Sequence, residues 1–396
     1  MLLVAFGLFM FLMLIVLHEY GHFLAAKRNE VEVEEFGIGF PPRAVGRTMG
    51  KGIFRSYYSL NWLPLGGFVK LKGENDNAKD KGTYGSKSLW VKTKIILAGV
   101  VVNYVVAVVL FTLLALIGIP RLLPAQPITD EQQFTIASDT EVIDSRAIVS
   151  FVADDSPAKT AGIEPGDQII RIGDTMISSD LDMRNTTSLY AGLDTPITII
   201  RDGENIELNT TFRQEQEVSA SRDTYNSCIS ILTLEEGRVC EAPVGYLGVA
   251  STDFVLQRST WSAPITGVGL SLQYTKVTLQ GLARAVSSLF AGNTEQATES
   301  VAGPVGVFFV LKEGANYGIR FVLMIIAIIS LTLAIMNALP IPALDGGRLF
   351  LTVLYRKIIK KPLTRAKEER IVGTSMVLLL TLMVLITIVD VQRFII

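Results

Sequence analysis

The sequence predicts an α-helical polytopic membrane protein with four transmembrane helices, a cytoplasmic loop and an inserted extracytoplasmic α+β domain. Its composition, its long apolar segments and the charge difference between its loops indicate this class. Of 396 residues, 49% are hydrophobic and only 19% are charged, and the mean hydropathy is +0.41. A soluble protein of this length is ordinarily more polar, so we expect the chain to lie in a membrane.

Four apolar segments are long enough to cross a bilayer, which takes about 20 helical residues. They are 1–23, 95–119, 319–347 and 371–396. The first lacks the basic start of a signal peptide, and cleavage after Ala25-Ala26 would remove both histidines, so we expect a mature helix. Residues 265–290, within the region 214–318, carry polar side chains at helical spacing and predict an amphipathic helix at the outer surface.

The loops predict a multi-pass orientation in the cell membrane, because cytoplasmic loops are rich in lysine and arginine. Residues 24–94 carry 13 Lys and Arg against 7 Asp and Glu, and the loop 348–370 is also basic. Residues 121–264 carry 10 Lys and Arg against 23 Asp and Glu, which indicates the exported side. The overall charge of −2 gives no electrostatic basis for nucleic-acid binding. On the exported side, Cys228 and Cys240 fit either a disulfide or two free thiols.

The segment HEYGH, residues 18–22, lies on the first apolar helix. His18 and His22 are four residues apart and therefore project from one helix face, with Glu19 beside them. Two neutral imidazoles suit Zn²⁺, and a carboxylate that is not a ligand suits a general base for an activated water. A pair of core histidines is the alternative, but it does not explain an ionisable Glu19 in an apolar helix.

A second group of residues, NALPIPALDGG at 337–347, ends the third apolar segment. Pro340 and Pro342 cannot continue the helical hydrogen bonds, so we expect the backbone to unwind there, and the following Gly-Gly pair permits a turn. Unwound backbone at membrane depth requires protein or a water-filled cavity around it. The alternative is an ordinary helix terminus at the membrane interface, with Asp345 as a cap.

HEYGH and NALPIPALDGG together resemble the site-2 protease family of intramembrane zinc metalloproteases, especially its bacterial regulator-of-sigma-E branch, over nearly the whole chain. The resemblance implies hydrolysis within the transmembrane segment of a single-span protein, such as an anti-sigma factor or a remnant signal peptide. It also implies an upstream site-1-type protease that acts on the same substrate. Within the site, it implies Glu19 as catalytic base, Asn337 as a contact to the substrate backbone, and zinc ligands at His18, His22 and Asp345.

Topology supports the same third ligand. With no further histidine and both cysteines outside, a carboxylate is expected. The first and third helices both run inward, which brings Asp345 to a depth comparable with that of His18, towards the cytoplasm. The fourth helix runs outward and leaves Asp390 near the external face. On the second helix, Asn103 of AGVVVN matches the family pattern, whereas Val100 replaces the usual proline.

The basic loop contains FGIGFPPR (36–43) and YSLNWLPLGGFVKLKGE (58–74), which resemble the membrane-associated β-hairpin of that family. Within the second stretch, SLNW and GGFVKL predict two short strands around a Pro-Leu-Gly bend. An exposed strand edge beside the zinc would pair with an unwound substrate, and a plain surface hairpin is the alternative. The residues that we expect to bind substrate there are Gly66, Gly67, Phe68 and Val69.

The exported segment resembles a PDZ domain through the pattern SPAKTAGIEPGD within residues 148–177 and the β-rich stretch 196–212. We expect one such domain, at 133–213, where members of the branch often carry two in tandem. The domain either recruits a peptide C-terminus or acts as a filter that admits only substrates already trimmed outside. The resemblance favours the filter.

Two rival functions belong to other classes. A non-catalytic PDZ-bearing membrane scaffold would use the metal as a structural staple, but a structural zinc has four protein ligands and no base, and Glu19 argues against it. A metal transporter would carry several intramembrane acids or histidines along a path, and this chain has only two histidines.

Overall fold

The fold is described from a computed structural model, for residues 1–74, 80–122, 132–201, 203–232, 242–291, 303–360 and 364–394. The chain divides into two compact units. We call the first the membrane unit, formed by Met1–Ile119, Gln133–Asp139 and Ser259–Ile396. We call the second the sheet unit, formed by Pro120–Gln132 and Thr140–Arg258.

The helices of the described residues are α1 (Leu2–Arg28), α2 (Leu89–Ile117), α3 (Pro157–Ala161), α4 (Asp180–Leu189), α5 (Glu215–Leu232), α6 (Ala263–Phe290), α7 (Pro304–Asn316), α8 (Ile319–Ala338), α9 (Asp345–Val353) and α10 (Arg365–Phe394). A 3₁₀ turn covers Gly52–Phe54, and a π-helical segment, Leu354–Ile359, continues α9. The strands are β1 (Val33–Met49), β2 (Ser56–Leu71), β3 (Ile119–Pro120), β4 (Glu141–Val152), β5 (Gln168–Ile172), β6 (Thr175–Met176), β7 (Asp194–Arg201), β8 (Glu204–Thr211) and β9 (Val249–Arg258).

Four helices of the described residues are long and apolar enough to cross a membrane, as the sequence predicts: α1, α2, α8 and the part of α10 at Ala366–Gln392. α2 begins six residues before the predicted 95, because Ser88 caps it by accepting a hydrogen bond from the Val91 amide. α8 ends at Ala338, ahead of Pro340 and Pro342, and the chain becomes helical again only at α9. The predicted segment 319–347 is therefore a helix followed by unwound backbone.

The predicted amphipathic segment at 265–290 is α6, which packs against α2. A Cβ at Gly267 would overlap Thr112 of α2, so the two helices approach closely there. The rings of Tyr274 and Phe111 stack with centroids 5.5 Å apart. The first half of α6 therefore rests on the last turns of α2, where a hydrophobic face would otherwise be exposed.

β1 and β2 are long strands that fold back on themselves. SLNW and GGFVKL are both in β2, but they do not pair with each other, because the first half of β1 lies between them. Phe36, for example, pairs with Tyr58 on one side and with Val69 on the other. The segment that begins at Gly67 consequently forms an edge, with β1 as its partner on one side.

The sheet unit contains a seven-stranded sheet in the order β3-β9-β4-β5-β7-β8, with β6 paired to β5. Its core includes Ile169, Ile172 and Ile197, all fully buried. The unit is larger than the predicted 133–213, because β9 pairs antiparallel with β4 from Glu141–Arg258 to Val152–Val249. Residues 133–139, in contrast, belong to the membrane unit.

Of the two cysteines, the structure describes only Cys228. Cys228 is in α5 and has no free thiol. Cys240 lies outside the described residues. Cys228 is therefore disulfide-bonded, and the alternative of two free thiols is wrong for this residue.

Asp390 of α10 joins that helix to the start of α7. Its side chain is buried, and Oδ2 accepts hydrogen bonds from the backbone amides of Gly303 (2.9 Å) and Gly306 (2.8 Å). These amides have no carbonyl partner within α7 because they lie at its amino end. A carboxylate from a neighbouring helix thus caps α7, and the negative charge suits the positive end of the helix.

We expect Asp390→Ala to lower the thermal midpoint of the purified protein in detergent. The change leaves two buried amides without an acceptor, a loss of about 2 kcal/mol. Thr387→Ala is the matched control, because its hydroxyl bonds only to Met383 of the same helix. Equal midpoints for the two variants would contradict the capping role.

Candidate metal centre

The three side chains predicted to hold a metal come together in the membrane unit. The Nε2 atoms of His18 and His22 lie 3.2 Å apart. Oδ2 of Asp345 lies 3.0 Å from Nε2 of His18 and 3.2 Å from Nε2 of His22. Among the described residues, only these three form a cluster of histidines and acids close enough together to hold one metal ion.

These distances fit a tetrahedral zinc ion. Zinc bonds of about 2.0–2.1 Å place ligand atoms about 3.3 Å apart, close to all three observed separations. The triangle of two imidazole nitrogens and one carboxylate oxygen forms one face of such a tetrahedron and leaves the fourth position for water or substrate. The donor set is that of a catalytic zinc site, since a structural site has four protein ligands.

Small residues on α1 and α2 let the two histidines reach their positions. A Cβ at Gly99 of α2 would lie 2.5 Å from Nε2 of His22 and 2.7 Å from Nε2 of His18, so no larger residue fits there. A Cβ at Gly21 of α1 would lie 2.8 Å from the carbonyl oxygen of Ala98. The backbones of α1 and α2 therefore pack directly against each other beside the metal centre.

The unwound segment between α8 and α9 delivers Asp345. Leu339 is extended, and the chain turns back through the two prolines before α9 begins at Asp345. A Cβ at Gly346 would overlap the Ala338 carbonyl, and a Cβ at Gly347 would overlap that of Ile341. The Gly-Gly pair is thus required for the tight packing that brings the carboxylate to the histidines.

Hydrogen bonds to the outer ring nitrogens orient both imidazoles. Nδ1 of His22 lies 2.8 Å from the carbonyl oxygen of Ile95, to which it donates. Nδ1 of His18 lies 3.3 Å from the amide of Asn103. A proton on each Nδ1 leaves the lone pair of each Nε2 free for a metal, which is the tautomer that a zinc ligand needs.

The tautomer of His18 also fixes the orientation of the Asn103 side chain. In the structure, Nδ2 of Asn103 faces His18, and Oδ1 is buried without a hydrogen-bond partner. Amide oxygen and nitrogen are assigned from hydrogen bonding, and a protonated Nδ1 requires an acceptor. Zinc binding by Nε2 of His18 would therefore require Oδ1 of Asn103, and not Nδ2, to face Nδ1.

A cavity of about 350 Å³ opens beside the metal centre. Its lining includes Glu19, His22, Phe68, Val69, Asp345 and Arg348. Glu19 therefore faces the same space as two of the three candidate ligands, where a water bound to the metal would be within its reach. The cavity supplies room for a peptide segment beside Glu19.

Of the five residues predicted to bind substrate, three lie at or beside the cavity, and the other two do not line it. Phe68 and Val69 line the cavity, and Gly67 packs on Glu19, because a Cβ at Gly67 would lie 3.2 Å from Cγ of Glu19. Gly66 has a φ of +95° and forms the bend of β2. Asn337 lies in the last turn of α8 and donates to the Leu333 carbonyl at 3.0 Å.

Several residues at this site have a role that the sequence does not predict. The sequence shows that Asn103 is a polar residue in an apolar helix. It does not show that Asn103 contacts His18. The Ile95 carbonyl carries no sequence signal, because every residue has one. Arg348 lines the cavity and donates to Oε1 of Glu74 at 3.0 Å, with Glu368 of α10 3.9 Å away.

Comparisons with known proteins agree with this geometry. A family model described as peptidase family M50 matches residues 6–382. A Clostridium perfringens protein named "Putative zinc metalloprotease CPE1693" is 29% identical over 388 residues, covering 98% of each chain. Zinc metalloprotease RasP of Bacillus licheniformis is 24% identical over 466 residues, covering 96% of each chain.

We expect Asn103→Ala to weaken zinc binding by about 10–100-fold, the usual effect of losing a partner that orients a ligand histidine. Competition with a chelator of known affinity measures the change. Ser330→Ala is the control, because its hydroxyl contacts only the backbone carbonyl of Asn103. The same zinc affinity in both variants would remove Asn103 from the metal centre.

Proposed function

Since this chain belongs to peptidase family M50 and is a zinc metalloprotease of the site-2 protease type, we propose that it hydrolyses peptide bonds within the transmembrane segments of single-span proteins. The observation that carries the proposal is the position of the metal centre. His18, Glu19 and His22 lie on α1, a helix apolar enough to cross a membrane. A soluble peptide would not ordinarily reach a base on such a helix, whereas a membrane segment would.

We assign His18, His22 and Asp345 as the zinc ligands. When bound there, zinc supplies a Lewis acid for the scissile carbonyl and lowers the pKa of a water to about 7. Glu19 takes the proton of the attacking water and then passes it to the departing amine, as base and then acid. Asn103 and the Ile95 carbonyl hold the histidines in the tautomer that binds metal.

The edge of β2 is the proposed binding strand for the substrate. The segment that begins at Gly67 pairs with β1 on one side, while Phe68 and Val69 line the cavity. A substrate that unwinds would add to this edge through backbone hydrogen bonds and present an extended peptide bond to Glu19. In this scheme, Asn337 rotates away from Leu333 to contact the substrate backbone.

The proposed orientation places the metal centre towards the cytoplasm and the sheet unit outside. The charge difference between the loops supports it, because residues 24–94 are basic and residues 121–264 are acidic. We interpret the sheet unit as a PDZ domain that filters substrates by the size of their external part. An upstream protease would first shorten the substrate, so cleavage here would be the second step of regulated intramembrane proteolysis.

The alternative function, a membrane scaffold with a structural metal, fits the site less well. Three protein ligands leave a position open, and that position adjoins a cavity lined by Glu19. A structural metal that only links two helices needs neither an open ligand position nor a cavity beside it.

We expect Glu19→Gln to retain zinc and to lose cleavage by a factor of at least about 10². The amide keeps the shape of the side chain but cannot accept the proton. The assay uses purified protein in detergent with a panel of single-span peptides, with and without chelator, and zinc is measured in the same sample. Cleavage that survives complete removal of zinc, or an active zinc-bound Glu19→Gln variant, would contradict the proposed chemistry.

A further inference from the structure

A second cavity lies between α1 and α2 in the membrane unit, apart from the metal centre. We call it the α1–α2 groove. Its volume is about 490 Å³, and its apolar wall includes Gly21, Ala25, Ala98 and Val101. None of the three candidate zinc ligands lines it.

Basic and aromatic side chains surround one end of the α1–α2 groove. Arg28 is in the last turn of α1, and Lys94 and Trp90 are in the first two turns of α2. Trp90 is 66% exposed, and Nζ of Lys94 lies 5.3 Å from the centroid of its ring. Tryptophan and basic residues at one end of apolar helices are typical of the boundary between lipid tails and headgroups.

The two cations at this end are not neutralised by the protein. Among the described residues, no acidic side chain forms an ion pair with Arg28 or Lys94. The nearby Glu30 lies 3.8 Å from Lys87, so it has a different partner. Asn29 uses its amide to bond the Ala25 carbonyl. An anionic group placed between Arg28 and Lys94 would therefore meet two positive charges that have no acidic partner among the described residues.

We propose that the α1–α2 groove binds one anionic phospholipid of the surrounding leaflet. The headgroup phosphate lies between Arg28 and Lys94, and one acyl chain follows the apolar wall past Ala98 and Val101. Charge complementarity favours an anionic lipid over a zwitterionic one, because a choline group would add a third positive charge beside Arg28 and Lys94. The apolar wall decides for a lipid over a soluble phosphate.

The assignment is independent of the protease chemistry, although the two sites share a helix contact. Gly21 and Ala98 lie at the floor of the groove, while the next residue of α2, Gly99, faces the histidines. Changes at the exposed Arg28 and Lys94 should leave zinc content unaltered, and zinc content therefore reports whether a variant is folded.

The test uses delipidated full-length protein in detergent and native mass spectrometry. Phosphatidylglycerol and phosphatidylcholine with identical acyl chains are titrated separately into the wild type and into Arg28→Gln/Lys94→Gln. The matched control is Lys357→Gln/Lys367→Gln, which removes the same charge from exposed positions away from the groove. A third variant, Ala98→Leu, fills the apolar wall without changing charge. Glycerol 3-phosphate serves as a soluble competitor.

We expect the wild type and the control to bind one phosphatidylglycerol in preference to phosphatidylcholine. The Arg28→Gln/Lys94→Gln variant should lose about 30-fold in phosphatidylglycerol affinity, from about a factor of five for each cation near the headgroup. Ala98→Leu should weaken both lipids, and glycerol 3-phosphate should not compete. The proposal is overturned if the wild type shows no preference, if both double variants lose equally, or if the soluble phosphate displaces the lipid.

Discussion

The burial of ionisable side chains on apolar helices is the constraint on which the rest of the membrane unit depends. A charged residue in the middle of such a membrane helix costs about 2.5–3.5 kcal/mol even on membrane-insertion scales, which give the lowest values. Glu19, Asp345 and two imidazoles therefore require a compensating charge and complete hydrogen bonding. A divalent zinc ion in the proposed site would supply the charge, and Asn103 with the Ile95 carbonyl would complete the outer hydrogen bonds.

That constraint explains why the surrounding helices are irregular. A straight third helix would carry Asp345 past the histidines, so α8 ends at Ala338 and the chain unwinds before α9. Close approach of α2 requires a glycine opposite the two imidazoles, and Gly99 provides it. The same departure from regular helix opens the cavity in which the edge of β2 meets Glu19.

Features with short-range sequence signals were predictable, and features made by distant pairing were not. His18, Glu19 and His22 follow from helical spacing, and the break after α8 follows from two prolines. The four spans follow from hydropathy, but their ends do not, because caps such as Ser88 extend helices into polar sequence. Asn103 stands out in the sequence as a polar residue in an apolar helix, but the sequence does not indicate that its partner is His18.

The sheets show the same limit more strongly. Nothing local in GGFVKL indicates that β1 separates it from SLNW, since this depends on how a long strand folds back. The partnership of β9 with β4 joins segments about 100 residues apart, with α5 between them. A domain boundary drawn at 213 therefore omitted a strand whose pairing has no sequence-local trace.

Zinc content of Asp345→Ala tests the central claim most directly, namely that a carboxylate from unwound backbone completes a metal site on an apolar helix. The matched control is Asp390→Ala, which also removes a carboxylate of the membrane unit but leaves the candidate ligands in place. We expect about one zinc per chain in the wild type and the control, and none in Asp345→Ala. An Asp345→Ala protein that is folded, replete in zinc and active would contradict the account.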